Sequence, residues 1–104
     1  MSLMEFIIGQ VNDMNAADLQ EMIKRGNREG IKSSLDNFQR HIESFLRFYG
    51  SNQCVRNLAI IANYCIKNIK YFSYKKRGKF VEVCIYTELL QTVMEQLFIF
   101  DLKN

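Results

Sequence analysis

Very few residues in this chain could do covalent or metal chemistry: one histidine, His41, and three cysteines, Cys54, Cys65 and Cys84. A Ser–His or Cys–His nucleophilic site would have to run through His41. Its neighbours Arg40 and Glu43 set it on the polar side of its helix, the place of an ordinary surface histidine. Cys54 and Cys65 fall about 16 Å apart along a helix axis, too far to share a metal ion. With Cys84 they read as small core hydrophobes. Glu82, Glu88 and Glu95 do not form the Glu-x-x-His pairs of carboxylate-bridged metal bundles. Gly78, within Lys75-Lys76-Arg77-Gly78-Lys79, lacks the G-x-x-x-x-G-K-[ST] form of a phosphate loop and reads as a loop glycine. These patterns imply a non-enzymatic protein with no catalytic residue, metal, cofactor or small-molecule substrate.

Charge is the feature that rises above this background. The net charge is only +3, but no acid lies between Glu43 and Glu82, an interval holding Arg47, Arg56, Lys67, Lys70, Lys75, Lys76, Arg77 and Lys79. Arg56, Lys67 and Lys70 share one side of a helix that leads into Tyr74, Lys75, Lys76, Arg77 and Lys79, with Tyr71 and Phe72 interleaved. Spaced cations contact phosphates and adjacent rings stack on unpaired bases, so this ridge points to nucleic acid or an acidic partner. The same residues also fit a solvated helix face running into a charged loop, neutralised by Glu88 and Glu95; no named nucleic-acid-binding motif accompanies them.

Apolar residues that fall off the helical stripes give the other candidate. Phe48, Ile60, Tyr64 and Ile99 would be exposed in a monomer, and exposed apolar surface of this kind marks a protein interface. Homodimerisation is the simplest expectation. The leading reading is a helical interaction or regulatory protein that binds protein and self-associates; the alternative is a nucleic-acid-binding accessory protein using the ridge along residues 56–79.

At 104 residues, 48% hydrophobic and 24% charged, with no proline, the composition suits a single soluble domain over residues 1–104 and favours helices. An odd number of cysteines without a C-x-x-C pair fits a reducing compartment. The start, MSLMEFIIGQ, has an acid and no basic n-region, and no run reaches the roughly 18 uncharged residues of a membrane span. A cytoplasmic location follows as the expectation.

The elements that must position these residues form an all-α, up-and-down four-helix bundle. Its organising stretch is Cys54 to Phe72, where Cys54, Val55, Leu58, Ala59, Ile61, Ala62, Cys65, Ile66, Ile69 and Phe72 make one broad apolar face. The first helix begins at a Ser2–Glu5 capping box and is interrupted near residues 12–15, with a second start at Asn15-Ala16-Ala17-Asp18. Arg25 to Gly30 reads as a loop. The stripe Ile31, Leu35, Phe38, Ile42, Phe45, Leu46, Tyr49 predicts a second helix starting near Ser33 or Ser34, and Gly50-Ser51 supplies a C-cap and a new N-cap. Residues 80–86 are rich in strand-favouring types. A strand there would have no partner, so the last segment is read as a helix.

Overall fold

The computed structural model describes residues 15–74 and 79–103. These residues form four helices and no strand: α1 (Ala16–Arg25), α2 (Arg28–Tyr49), α3 (Gln53–Tyr74) and α4 (Phe80–Lys103). The capping box at Ser2–Glu5 and, apart from Asn15, the interruption expected near residues 12–15 lie outside the described residues. Asn15 is the start of α1. Its backbone is extended and its side chain accepts from the Ala17 N–H at 2.6 Å, satisfying one of the helix's orphan donors.

Asparagine, not serine, sets the other boundaries too. Gly26 ends α1 at φ 70°, and the Gly26 and Asn27 N–H groups return to the carbonyls of Ile23 and Met22. Asn27 then caps α2 by accepting from the Gly30 N–H at 3.0 Å. The expected six-residue loop is therefore only Gly26-Asn27, and Ser33 and Ser34 lie inside α2 rather than at its start. A Cβ on Gly30 would come 2.5 Å from Asn27 Nδ2, so glycine leaves room for the cap. At the next turn Gly50 keeps right-handed helical backbone (φ −64°) instead of a left-handed cap. Asn52, not Ser51, begins α3: its N–H bonds the Tyr49 carbonyl and its side chain accepts from the Val55 N–H.

Residues 80–86 are helical. Strand propensity yields to packing there, because Val83, Thr87, Leu90, Met94 and Leu97 recur at helical spacing and all are buried.

Polar contacts fix the topology. The Ala16 N–H donates to Gln91 Oε1 at 2.7 Å, Gln20 donates to Thr87 at 2.8 Å, and Lys24 sits over the Phe80 ring, so α1 and α4 run antiparallel. Tyr49 donates to Asp101, joining the C-terminal ends of α2 and α4, which therefore run parallel. Each helix packs on the next, α4 closes the ring on α1, and the α3–α4 pair is the most extensive. The resulting up-and-down bundle measures 41 × 30 × 20 Å.

One core runs through all four helices, from Leu19 through Leu35, Phe38 and Ile42 to Ala62, Ile69, Leu90 and Leu97. The apolar arc of α3 is narrower than the sequence implies. Cys54 and Ile61, expected within it, are exposed. They lie seven residues apart on one edge of the arc, and among the described helices α3 packs chiefly on α2 and α4, which leave that edge bare.

Gly26 and Leu35 separate backbone from packing. No atom lies within 4 Å of a Cβ built at Gly26, so Gly26→Ala should cost only left-handed strain, about 1–2 kcal/mol. Leu35 is wholly buried, and Leu35→Ala should cost about 2–5 kcal/mol. Urea denaturation of the two variants gives the comparison; equal losses would mean that Gly26 is a packing residue.

Candidate interaction surfaces

Two surfaces stand out from the bundle: an apolar outer face on α3 and α4, and a cationic end. The apolar face arises because α4 carries apolar residues on its outer side as well as its inner one, interspersed there with Glu88, Thr92 and Gln96. Its inner residues fill the core, which leaves Val81 at 71% exposure, Ile85 at 58%, and Leu89 and Ile99 about two-fifths exposed. Beside them on α3 lie Ile60 and Tyr64, at 66% and 57%. The groove between the helices is roofed by rings: Tyr64 meets Tyr86 edge-on at 6.0 Å, Tyr86 stacks on Phe72 at 6.1 Å, and Phe72 meets Tyr71 at 5.2 Å. Hydrogen bonding with Tyr64, followed by burial, pushes the Tyr86 phenol up.

Three of the four interface residues read from the sequence, Ile60, Tyr64 and Ile99, belong to this outer face. Phe48 does not join them. It is 73% exposed on α2 and lines a separate cleft of about 410 Å³ with His41, Phe45, Tyr49, Phe98 and Asp101. His41 is not a plain surface histidine either: it is half-buried, its ring edge-on to Phe98 at 5.6 Å. Val81, Ile85 and Leu89, which the sequence does not single out, are exposed on the outer face. The available signal was the seven-residue recurrence of Ile85, Thr92 and Ile99, a seam spacing masked by the apolar residues on either side.

The described cationic residues are spread along α3 and the start of α4. Arg56 lies at the α2–α3 turn, where it donates to the Gly50 carbonyl at 3.1 Å and to Gln53 Oε1. Lys70 is about 21 Å further along the axis. Lys67 is exposed, Lys70 half-buried and Lys79 exposed, and none makes an ion pair among the described residues. Tyr74 closes α3, and Lys75, Lys76 and Arg77 lie outside the described residues. The expected neutralisation by Glu88 and Glu95 is not seen among the described residues. Glu95 accepts from Gln91 on the α1 side of α4 instead, and Glu88 is exposed.

Only Cys65 among the thiols is a fully buried core residue, and burial pushes its pKa up. Cys84 is half-buried and Cys54 exposed. No three metal-ligating side chains cluster among the described residues. By length and composition α4 alone among the described helices could cross a membrane, and its inward residues are packed in the core. No protein-family model, curated protein or solved structure matches the chain.

Two measurements follow. A thiol reagent should modify Cys54 in the folded protein and Cys65 only on unfolding. Rapid labelling of Cys65 in the native state, read by peptide mass, would contradict its burial. The Tyr49 phenol is raised first by its hydrogen bond to Asp101, then by burial and the Asp101 charge. A raised phenol stabilises the fold fully below the ordinary tyrosine value and loses that stabilisation as pH rises through the folded value. Tyr49→Phe should therefore flatten the alkaline decline of the thermal midpoint; an unchanged decline would show that this bond contributes nothing.

Proposed function

We propose that this chain is a non-enzymatic helical interaction protein that self-associates through the outer face of α3 and α4. The observation that carries this reading is the apolar outer stripe of α4. A solvent-facing helix normally shows a polar side. Here Val81, Ile85, Leu89 and Ile99 stand exposed on that side beside Glu88, Thr92 and Gln96, and large apolar side chains exposed together mark an interface.

A second copy is the occupant that fits best, because the stripe is self-complementary. Ile85 and Ile99 lie seven residues before and after Thr92. Two α4 helices packed antiparallel about Thr92 set Ile85 against Ile99 of the second copy on both sides of a two-fold axis. That register also brings Glu82 next to Lys103 of the second copy, an opposite-charge pair at each end, and sets Glu88 beside Glu95 of the second copy, a like-charge pair whose repulsion the apolar contacts must outweigh. Ile60 and Tyr64 flank the seam from α3.

Sedimentation equilibrium at about 100 µM tests the association, a concentration at which a micromolar dimer is nearly saturated. The expected result is a dimer that becomes a monomer in the Ile85→Glu, Ile99→Glu variant. In a Cys54→Ser background, Thr92→Cys should form a disulfide-linked dimer on mild oxidation. A monomer at that concentration would overturn the proposal, and a dimer without Thr92→Cys cross-linking would overturn the register.

The unpaired state of Lys67, Lys70 and Lys79 among the described residues supports the second reading, nucleic-acid binding. A fluorescence titration with random DNA and RNA should then give affinity that falls steeply between low and physiological salt. Changing Lys67, Lys70 and Lys79 to Glu should abolish it. Absence of binding at low salt would remove this reading.

A further inference from the structure

The end of the bundle where α1 meets α2 and α3 leads into α4 contains a cavity of about 520 Å³, within the range of small-ligand pockets. Its wall is apolar: Ile31 and Val83 are buried, and Ile23, Phe72 and Phe80 are half-buried. Its rim is cationic. Lys24, Arg25, Arg28 and Lys79, drawn from α1, α2 and the residue before α4, all line it, and no acidic residue does so among the described residues. Lys24 is held with its ammonium 5.7 Å from the Phe80 ring centroid, and Arg25 is paired with Glu21 at 3.0 Å.

Ser73 supplies the second observation. It lines the same cavity, and its hydroxyl oxygen is buried with no hydrogen-bond partner among the described residues. Buried polar atoms of folded proteins are almost always partnered, because an unmade hydrogen bond costs the full desolvation of the group. A helical serine has a ready alternative in bonding a carbonyl one turn back, and Ser73 does not use it. The cavity thus combines an unused donor, a collar of positive charge and a greasy wall.

We propose that this cavity binds a small amphipathic anion, a phosphomonoester or carboxylate on an aromatic or short acyl body. The anion is held by Lys24, Arg28 and Lys79 and by the Ser73 hydroxyl, and the body packs against Phe72, Phe80 and Ile31. A bare anion would gain the charge contacts and leave the apolar wall wet. A neutral body would bury apolar surface and leave Lys79 and the Ser73 hydroxyl unanswered. The site is independent of the α4 seam, so each stands or falls alone.

An NMR titration of the full chain with phenyl phosphate, inorganic phosphate and phenol tests the assignment. The expected result is saturable phenyl phosphate binding, at least about tenfold tighter than either fragment, since two favourable contacts of about 1.4 kcal/mol each multiply. Its amide shifts should centre on Gly26, Ser73 and Phe80. Lys24→Gln with Lys79→Gln, both at exposed positions, should weaken binding about tenfold or more without unfolding the chain. Ser73→Ala should weaken binding while raising the thermal midpoint of the free protein, because it removes an unpartnered hydroxyl. The proposal is overturned by inorganic phosphate binding as tightly as phenyl phosphate, by shifts centred on the α3–α4 outer face, or by no saturable shifts. A lowered midpoint in Ser73→Ala would equally overturn it, since the hydroxyl would then be partnered within the fold.

Discussion

Burial of α4 is the constraint on which the rest of the structure depends. A helix with so wide a buried arc, from Val83 through Leu90, Val93 and Met94 to Phe98, needs both flanks of that arc covered by neighbours before the bundle has a core. α3 covers one flank over most of its length, and α1 covers the other as far as Gln91. α2 then closes the ring between them and reaches α4 diagonally at one end, through Phe45, Phe98 and the Tyr49–Asp101 hydrogen bond. Even so, Val81, Ile85, Leu89 and Ile99 of α4 stay exposed beside the four described helices.

Polar groups in this interior follow the same constraint. Thr87 is the one buried polar residue among those described, and both of its hydrogen-bonding roles are used: it donates to the Cys84 carbonyl and accepts from Gln20. Gln91 likewise accepts from the first N–H of α1 and donates to Glu95. Side chains of α4 thus satisfy the exposed start of α1, so that the shortest helix is positioned by hydrogen bonds as well as by Leu19. Ser73 breaks this pattern, which is why it stands out.

Much of the architecture was legible from the spacing of apolar residues. The stripe of α2 held at every position from Ile31 to Phe45, and the helical reading of residues 80–86 followed from the need for strand partners. The boundaries were read less well. Gly50 is the C-cap of α2 that the Gly50-Ser51 pair suggests, but the N-cap of α3 is Asn52 rather than Ser51, and Asn27 caps α2 where the spacing suggests a loop. Both errors have one cause: an asparagine between helices is a cap or a loop residue depending on which N–H comes within reach, and that is settled only when the helices pack. The surfaces were the least legible. Periodicity identifies what a helix hides, but Cys54 and Ile61 lie at the edge of an arc, and whether an edge is covered depends on the number of neighbours. The gathering of Lys24, Arg28 and Lys79 around one cavity joins residues far apart in the chain, and no local pattern announces it.

The two-residue connection at Gly26-Asn27 and the short turn at Gly50 to Asn52 bear on how the chain comes together. Contacts of α2 with α1 and α3 join near neighbours in sequence, so their loop-closure entropy is small and they can form quickly. The α1–α4 contact is different: Ala16 to Gln91 and Gln20 to Thr87 span 75 and 67 residues. A ten-residue helix has little stability of its own, so α1 gains its order from that long-range closure. The seam between α1 and α4 is therefore the last part of the ring to close, after the α2–α3–α4 packing is in place.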